Sequence, residues 1–369
     1  MNTIDFIFAL VLSFLLSLVL TPSFGWLAKR FEIVDRPDSE RKIHKKTVPL
    51  LGGLAIFFSF NVVMLMYALF SDAITGQILW LKNILGICAG TGILALGGFL
   101  DDKYNLKARY QIIFPVLAIA TVIISGIGID FVQNPFGEGV IRLDQFQKIL
   151  FWYDGFPYKM TLFADIFTFI WLLAIIYTTK LLDGLDGLVS GITVIGAFFI
   201  FFTALNKMDF AQTDVAVLAM ILAGAFLGFL VFNFNPATIF LGEGGSTMAG
   251  FLLGVLSIAS GSKVGVTLLI LSIPVIDLIW TIIRRIMERK SFSTADRKHL
   301  HHRLLDAGFT VKQAVLILYS MVLVFGVSAY YLQDWHLTFA TAGGFALIVF
   351  ALLCAYLYRA KKLREKPLT

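Results

Sequence analysis

Eleven stretches of this chain are apolar over enough residues to cross the roughly 30 Å of hydrocarbon in a bilayer. They cover about residues 4–27, 50–70, 84–100, 112–130, 162–182, 188–205, 215–233, 247–260, 264–283, 313–332 and 337–358, the eighth being short and glycine-bearing. The expected fold is therefore an all-α polytopic membrane protein of about 11 transmembrane helices, with residues 1–369 as a single integral-membrane domain. Only 15% of residues are charged, against about a quarter in soluble proteins. The first run lacks a basic leading segment and is too long for a signal peptide core, so it reads as a retained span. Cys88 and Cys354 both lie inside apolar runs, which excludes a disulfide framework and a cysteine-based metal site. No internal repeat or low-complexity linker interrupts the pattern. Residues 131–161 are too polar to span and alternate briefly at VIRL, as expected of an outer loop with a short hairpin or interfacial piece.

Lys and Arg orient the chain, because they concentrate in cytoplasmic connections. With the N-terminus outside, 24 of the 30 Lys and Arg residues fall in inner connections and six (Lys82, Arg142, Lys148, Lys159, Lys207 and Lys263) fall outside. The C-terminus is then inside, and 284–312 forms a cytoplasmic loop rich in histidine.

That topology puts five polar clusters on one face: RKIHKKTVPLLGG (41–53), Asp101-Asp102, the DGLDG of KLLDGLDGLVSG (180–191), NFNPATIFLGEGGS (233–246) and DRKHLHHRLL (296–305). Histidines 44, 299, 301 and 302 lie there too. Asp186-Gly187 and Glu243-Gly244-Gly245-Ser246 stand where spans begin, at helix N-termini that attract phosphate. A carboxylate in the same place repels phosphate. The conflict disappears if a divalent cation lies between them, as Mg²⁺ is commonly held by one or two carboxylates plus substrate phosphates. Asp101, Asp102, Asp183, Asp186 and Glu243 supply more acid than one ion needs, leaving some for proton transfer or nucleophilic attack. The residues thus point to metal-assisted transfer on a phosphorylated substrate at the membrane surface.

In order and spacing, RKIHKK..PLLGGLAIF, GFLDD, LLDGLDGL..G, NFNPATIF.G..GS, Pro274/Asp277/Arg284/Arg285 and D..HLHHRLL..G resemble the polyprenyl-phosphate N-acetylhexosamine-1-phosphate transferase family, over about residues 25 to 312. The His-rich stretch is most similar to the branch that starts teichoic acid, O-antigen and related glycans, and less to the phospho-MurNAc-pentapeptide translocase branch of peptidoglycan synthesis. The resemblance implies that polyprenyl phosphate attacks a UDP-N-acetylhexosamine, most simply UDP-GlcNAc, giving polyprenyl-diphosphate sugar and UMP with Mg²⁺ or Mn²⁺ as cofactor. No ATP is needed, in keeping with the missing G-x-x-x-x-G-K-[ST] loop. It further implies catalytic roles for Asp101, Asp102, Asp183, Asp186, His301 and His302, metal ligation by Asp183, Asp186 and Glu243, and substrate binding by Lys180, His44, Lys46, Asn235, His299 and Arg303. The setting implied is the inner (plasma) membrane with the active site facing the cytoplasm, compatible with a homodimer and without a nucleic-acid partner.

Three positions depart from the family pattern: Glu243 stands where Asp is usual, Lys180 where Asn is common, and Thr47 where Pro is usual. Each cluster also has a plainer reading. DGLDG suits a tight turn, Asp101-Asp102 suits a loop cap, and most basic runs follow from membrane orientation. Asp277, one to two turns inside its span, is expected to partner Arg284 or Lys263 or else to be functional, since acids within spans usually are. A transporter or lipid flippase is the rival from another class, but such a protein should carry ionisable groups near mid-membrane. Here the acids gather at one face.

Overall fold

The computed structural model describes residues 3–37, 46–134, 139–153, 156–206, 211–260, 268, 271–288, 299–331 and 344. The span expected at 337–358 apart from residue 344, parts of 264–283 and of the 284–312 loop, and His44 lie outside these residues. The described helices are α1 (Thr3–Arg30), α2 (Gly52–Phe70), α3 (Leu81–Tyr104), α4 (Ala108–Gln111), α5 (Ile113–Ser125), α6 (Leu162–Leu182), α7 (Leu188–Leu205), α8 (Thr213–Asn233), α9 (Gly242–Ala259), α10 (Ser272–Met287), α11 (Leu300–Asp306) and α12 (Val311–Tyr331). Among the described residues, eight helical segments are long and apolar enough to cross a membrane, with α4 and α5 together forming one of them. They coincide with eight of the expected runs. The run at 247–260 overlaps α9, whose opening GEGGST makes it less apolar than the eight, and 264–283 overlaps α10.

A helix that is apolar all round belongs in the interior, and α8 behaves so: nearly every residue from Val215 to Phe229 is buried. It packs against α1, α7 and α2, while α9 packs against α6, α3, α2 and α7. With apolar lipid outside, close helix contact depends on small residues and interhelical hydrogen bonds. Gly224 and Gly228 of α8 accordingly lie against the backbone and serines of α1, and Ser17 Oγ donates to Ala225 O at 2.7 Å. Nearer the site, Gly98 of α3 meets Gly244, and Gly53 of α2 meets Gly244 and Gly245. Any side chain at Gly98 or Gly53 would overlap the backbone of α9.

Beyond the helices, β1 (Val34–Asp35) pairs antiparallel with β2 (Val48–Pro49). The 131–161 segment holds two antiparallel hairpins, β3 (Phe131–Gln133) with β4 (Val140–Arg142), and β5 (Gln147–Tyr153) with β6 (Phe156–Thr161). The expected short hairpin is thus joined by a second, longer one.

Candidate active site

The C-terminal ends of α3, α6 and α8 and the N-terminal ends of α2, α7, α9 and α12 meet at one end of the bundle, around a cavity of about 730 Å³. Its lining includes Asp102, Asp183, Asp186 and Glu243, with Lys46, Lys180, Asn235 and His302. Four acids from three separate stretches of sequence therefore share one space.

Local backbone chemistry explains the convergence. Gly187 sits at φ +81°, a left-handed conformation that favours glycine, and so turns the chain from α6 into α7. Asn233 Oδ1 accepts from Gly187 N (3.1 Å) and Ser190 Oγ (2.5 Å), while its Nδ2 donates to Ile239 O (3.0 Å). Tyr319 of α12 donates its hydroxyl to Gly187 O. The α8–α9 connection closes over the same turn: Asn235 Nδ2 and Ala237 N donate to Asp186 Oδ2 at 2.8 and 3.0 Å. Residues 49–53 are tied to this connection by Phe240 N to Pro49 O (2.9 Å) and Gly53 N to Leu241 O (2.8 Å), which brings Lys46 to the rim.

Asp102 Oδ1 accepts from Glu243 N at 3.2 Å, placing a carboxylate at the N-terminus of α9. Gly242, also left-handed at φ +71°, leaves no room for a Cβ beside Asp102. Glu243 Oε2 forms an ion pair with Lys180 Nζ at 2.9 Å. Asp183 opens onto the cavity, and among the described residues no hydrogen bond reaches its carboxylate. Desolvation by the protein around it, then repulsion from Glu243, Asp102 and Asp186, pushes it up to about 8, although the side chain itself stays exposed to the cavity.

Several expected site residues lie elsewhere. Asp101 faces away from the large cavity and accepts from Leu106 N (2.7 Å) and Gln111 Nε2 (3.0 Å), closing the turn after α3. His299 is buried, its Nδ1 2.9 Å from Asp277 Oδ2. Among the described residues His299, rather than the expected Arg284, is the partner that Asp277 takes, and Lys263 lies outside those residues. His301 is buried against Gly184, behind the cavity wall, and its pKa is held well below 6.5 by burial, then by His302 and His299. Of the three, only His302 lines the cavity. Arg303 does not line it either. Three contributors were missed at sequence level: Asn233 and Asp35, which line the cavity, and Gln111 behind it. Asn233 lies within the quoted NFNP stretch, whereas Gln111 merely precedes an apolar run and gives no signal.

The donor set is all carboxylate, the type a hard cation such as Mg²⁺ prefers. Among the described residues no three His, Cys, Asp or Glu side chains already stand close enough to hold an ion together. Asp186 is engaged by Asn235 and Ala237, and Glu243 by Lys180. Asp183, surrounded by like charge, is where a divalent cation would relieve the greatest electrostatic imbalance.

Fold and site define an integral-membrane protein with an acidic, phosphate-suited cavity at one end of its helix bundle. The sequence pattern of glycosyl transferase family 4 matches residues 84–261. The chain is 30% identical, over 99% of its length and 96% of the relative's, to the protein named "Probable undecaprenyl-phosphate N-acetylglucosaminyl 1-phosphate transferase" of Bacillus subtilis (strain 168). It is 29% identical, over 88% of its length and 82% of the relative's, to the decaprenyl-phosphate N-acetylglucosaminephosphotransferase of Mycolicibacterium smegmatis. A third relative, the undecaprenyl-phosphate alpha-N-acetylglucosaminyl 1-phosphate transferase of Yersinia pestis, is 28% identical over 91% of this chain and 88% of its own. The chain belongs to glycosyl transferase family 4, as the motif resemblance implied.

Proposed function

We propose that this protein transfers N-acetylglucosamine 1-phosphate from UDP-GlcNAc to polyprenyl phosphate, the first membrane step of a cell-surface glycan. An oxygen of the lipid phosphate attacks the sugar-bearing phosphorus of the donor. The phosphoanhydride to UMP breaks as a new one to the lipid forms, so UMP leaves and no external energy source is consumed. The observation that carries this reading is the meeting of Asp102, Asp183, Asp186 and Glu243 in one cavity with Lys46 and Lys180. Relatives along nearly the whole chain bear names of the same transfer.

Mg²⁺ or Mn²⁺, held by Asp183 and Asp186 with Asp102 close by, would neutralise charge on the donor diphosphate. Glu243 holds the ligand position by family pattern, although Lys180 engages it. Asp102, fixed by Glu243 N, orients the attacking lipid phosphate. Asn235 keeps Asp186 in place, and Lys46 and His302 meet phosphate from the cavity wall. With eleven spans, the N-terminus outside and the C-terminus inside, this end of the bundle faces the cytoplasm at the inner membrane. The bias of Lys and Arg supports that orientation. The protein works as a monomer or a homodimer.

The test is a donor screen with purified protein, polyprenyl phosphate and Mg²⁺ or Mn²⁺, following UMP. Release should require the lipid phosphate, stop with a chelator, and vanish in Asp102→Asn and Asp183→Asn proteins that remain folded. Near-normal rates in both variants would end the assignment.

A further inference from the structure

The two cavity positions at which the sequence departs from the family pattern, Lys180 and Glu243, are the two ends of one ion pair 2.9 Å long. Lys180 Nζ also donates to Gln111 Oε1 at 2.9 Å. The amide of Gln111 continues the array, since its Nε2 lies 3.0 Å from both carboxylate oxygens of Asp101 and donates to Leu106 O at 3.0 Å. Asp101, Gln111, Lys180 and Glu243 thus form one hydrogen-bonded row drawn from α3, α4, α6 and α9. Its inner members, Lys180 and Glu243, face the large cavity, while Asp101 and Gln111 sit behind them in a smaller cleft.

The chemistry of the row has a direction. Gln111 can direct its carbonyl oxygen at the ammonium only because Asp101 takes its amide hydrogens. Two acceptors then fix a side chain that otherwise has four free torsions. An ammonium so restrained presents its remaining hydrogen to the cavity. A carboxylate committed to that ammonium has less charge to offer an ion.

Building on the transfer reading above, we propose that Gln111 and Glu243 are positioning residues that hold the Lys180 ammonium at the cavity wall to receive a substrate phosphate, and that Glu243 consequently acts through Lys180 rather than as an ion ligand. Asp101 belongs to the same row as the group that sets the orientation of Gln111.

The test compares wild type, Gln111→Met, Glu243→Gln, Lys180→Met and the double variant Lys180→Met/Glu243→Gln, varying UDP-GlcNAc, polyprenyl phosphate and Mg²⁺ in turn. Gln111→Met and Glu243→Gln should each raise KM for the same substrate about tenfold, the scale of a lost hydrogen bond to a charged group. The half-saturating Mg²⁺ concentration should stay within about twofold. Whether the KM of the nucleotide sugar or of the lipid moves tells which phosphate Lys180 meets. In the Lys180→Met background, Glu243→Gln should add nothing. The proposal is overturned if Glu243→Gln mainly raises the Mg²⁺ requirement, if neither KM moves, or if its effect is undiminished without Lys180. Melting temperatures in detergent read the same pair without turnover: non-additive shifts are expected, and additive ones count against it. A wild type that releases no UMP would overturn the transfer reading alone.

Discussion

Asp277, inside α10, clamps His299 at the start of α11: its Oδ2 lies 2.9 Å from the imidazole Nδ1, and its Oδ1 accepts from Leu300 N at 3.2 Å. The acid therefore does the work of a helix cap for the segment that carries the histidines. His299 stacks parallel to His301 at 5.7 Å between ring centroids, and His301 touches His302 at 4.3 Å. Asp277 is thus linked to the cavity wall through three rings. Asp277→Ala should lower kcat/KM and take with it about 1 kcal/mol of stability, the value of a lost cap, whereas Asp277→Asn should keep most activity because an amide oxygen still accepts from Leu300 N. Steady-state UMP release decides it, and equal rates for Asp277→Ala and wild type would remove the clamp from the account.

The same stack separates His302 from His301. His302 lines the cavity, while His301 is buried against Gly184. His302→Gln should reduce turnover while leaving the melting temperature near that of wild type. His301→Ala should instead lower the melting temperature, since it opens space beneath the DGLDG turn at a cost of about 2–5 kcal/mol, the range for truncating large buried side chains. Thermal scans alongside rate measurements distinguish the two, and a reversed pattern would mean that His301 reaches substrate.

The meeting of the acids was legible in the sequence because each stands in a glycine-bearing turn at the end of an apolar run. Orientation by Lys and Arg put those turns on one side. The pairing of Lys180 with Glu243 was not, since the partners stand 63 positions apart in the chain with two complete helices between them. Nor was the role of Gln111, whose partners come from α3, α6 and the loop between α3 and α4. Asp101 and Asp102 are adjacent, yet on a helix successive side chains point about 100° apart, so one faces the cavity and the other the turn behind it. Sequence identity alone could not divide them. The second hairpin was missed because KILFWY reads as a continuous apolar run rather than an alternating one.

Close backbone approach makes a prediction that touches no reacting group. A Cβ at Gly98 would collide with the backbone of Gly244, whereas one at Gly92, on the same helix, would sit 3.7 Å from the Phe57 ring in ordinary contact. Gly98→Ala should force α3 from α9, shift Asp102 relative to Glu243 N, and lower both melting temperature and activity. Gly92→Ala, scored in the same expression and thermal-shift experiment, should leave both unchanged. Full activity in Gly98→Ala would mean that the helices separate without disturbing the acids.

Asp183 opposes stability and serves function at once. Its carboxyl, open to the cavity but held up at about 8 by desolvation and by Glu243, Asp102 and Asp186, prefers to be neutral in the folded, metal-free protein. Between the ordinary carboxylate value of 3.8 and about 8 the folded state binds more protons at this site than the unfolded one. Its contribution to stability therefore falls as pH rises through that window. In chelator, the melting temperature of wild type should drop between about pH 5 and 8 more steeply than that of Asp183→Asn, which carries no charge to penalise. Mg²⁺ should recover the loss in wild type and do little for the variant, while turnover should be absent in the variant at every pH. A variant that melts lower than wild type at alkaline pH, or gains as much from Mg²⁺, would show that the ion is not drawn to this carboxylate.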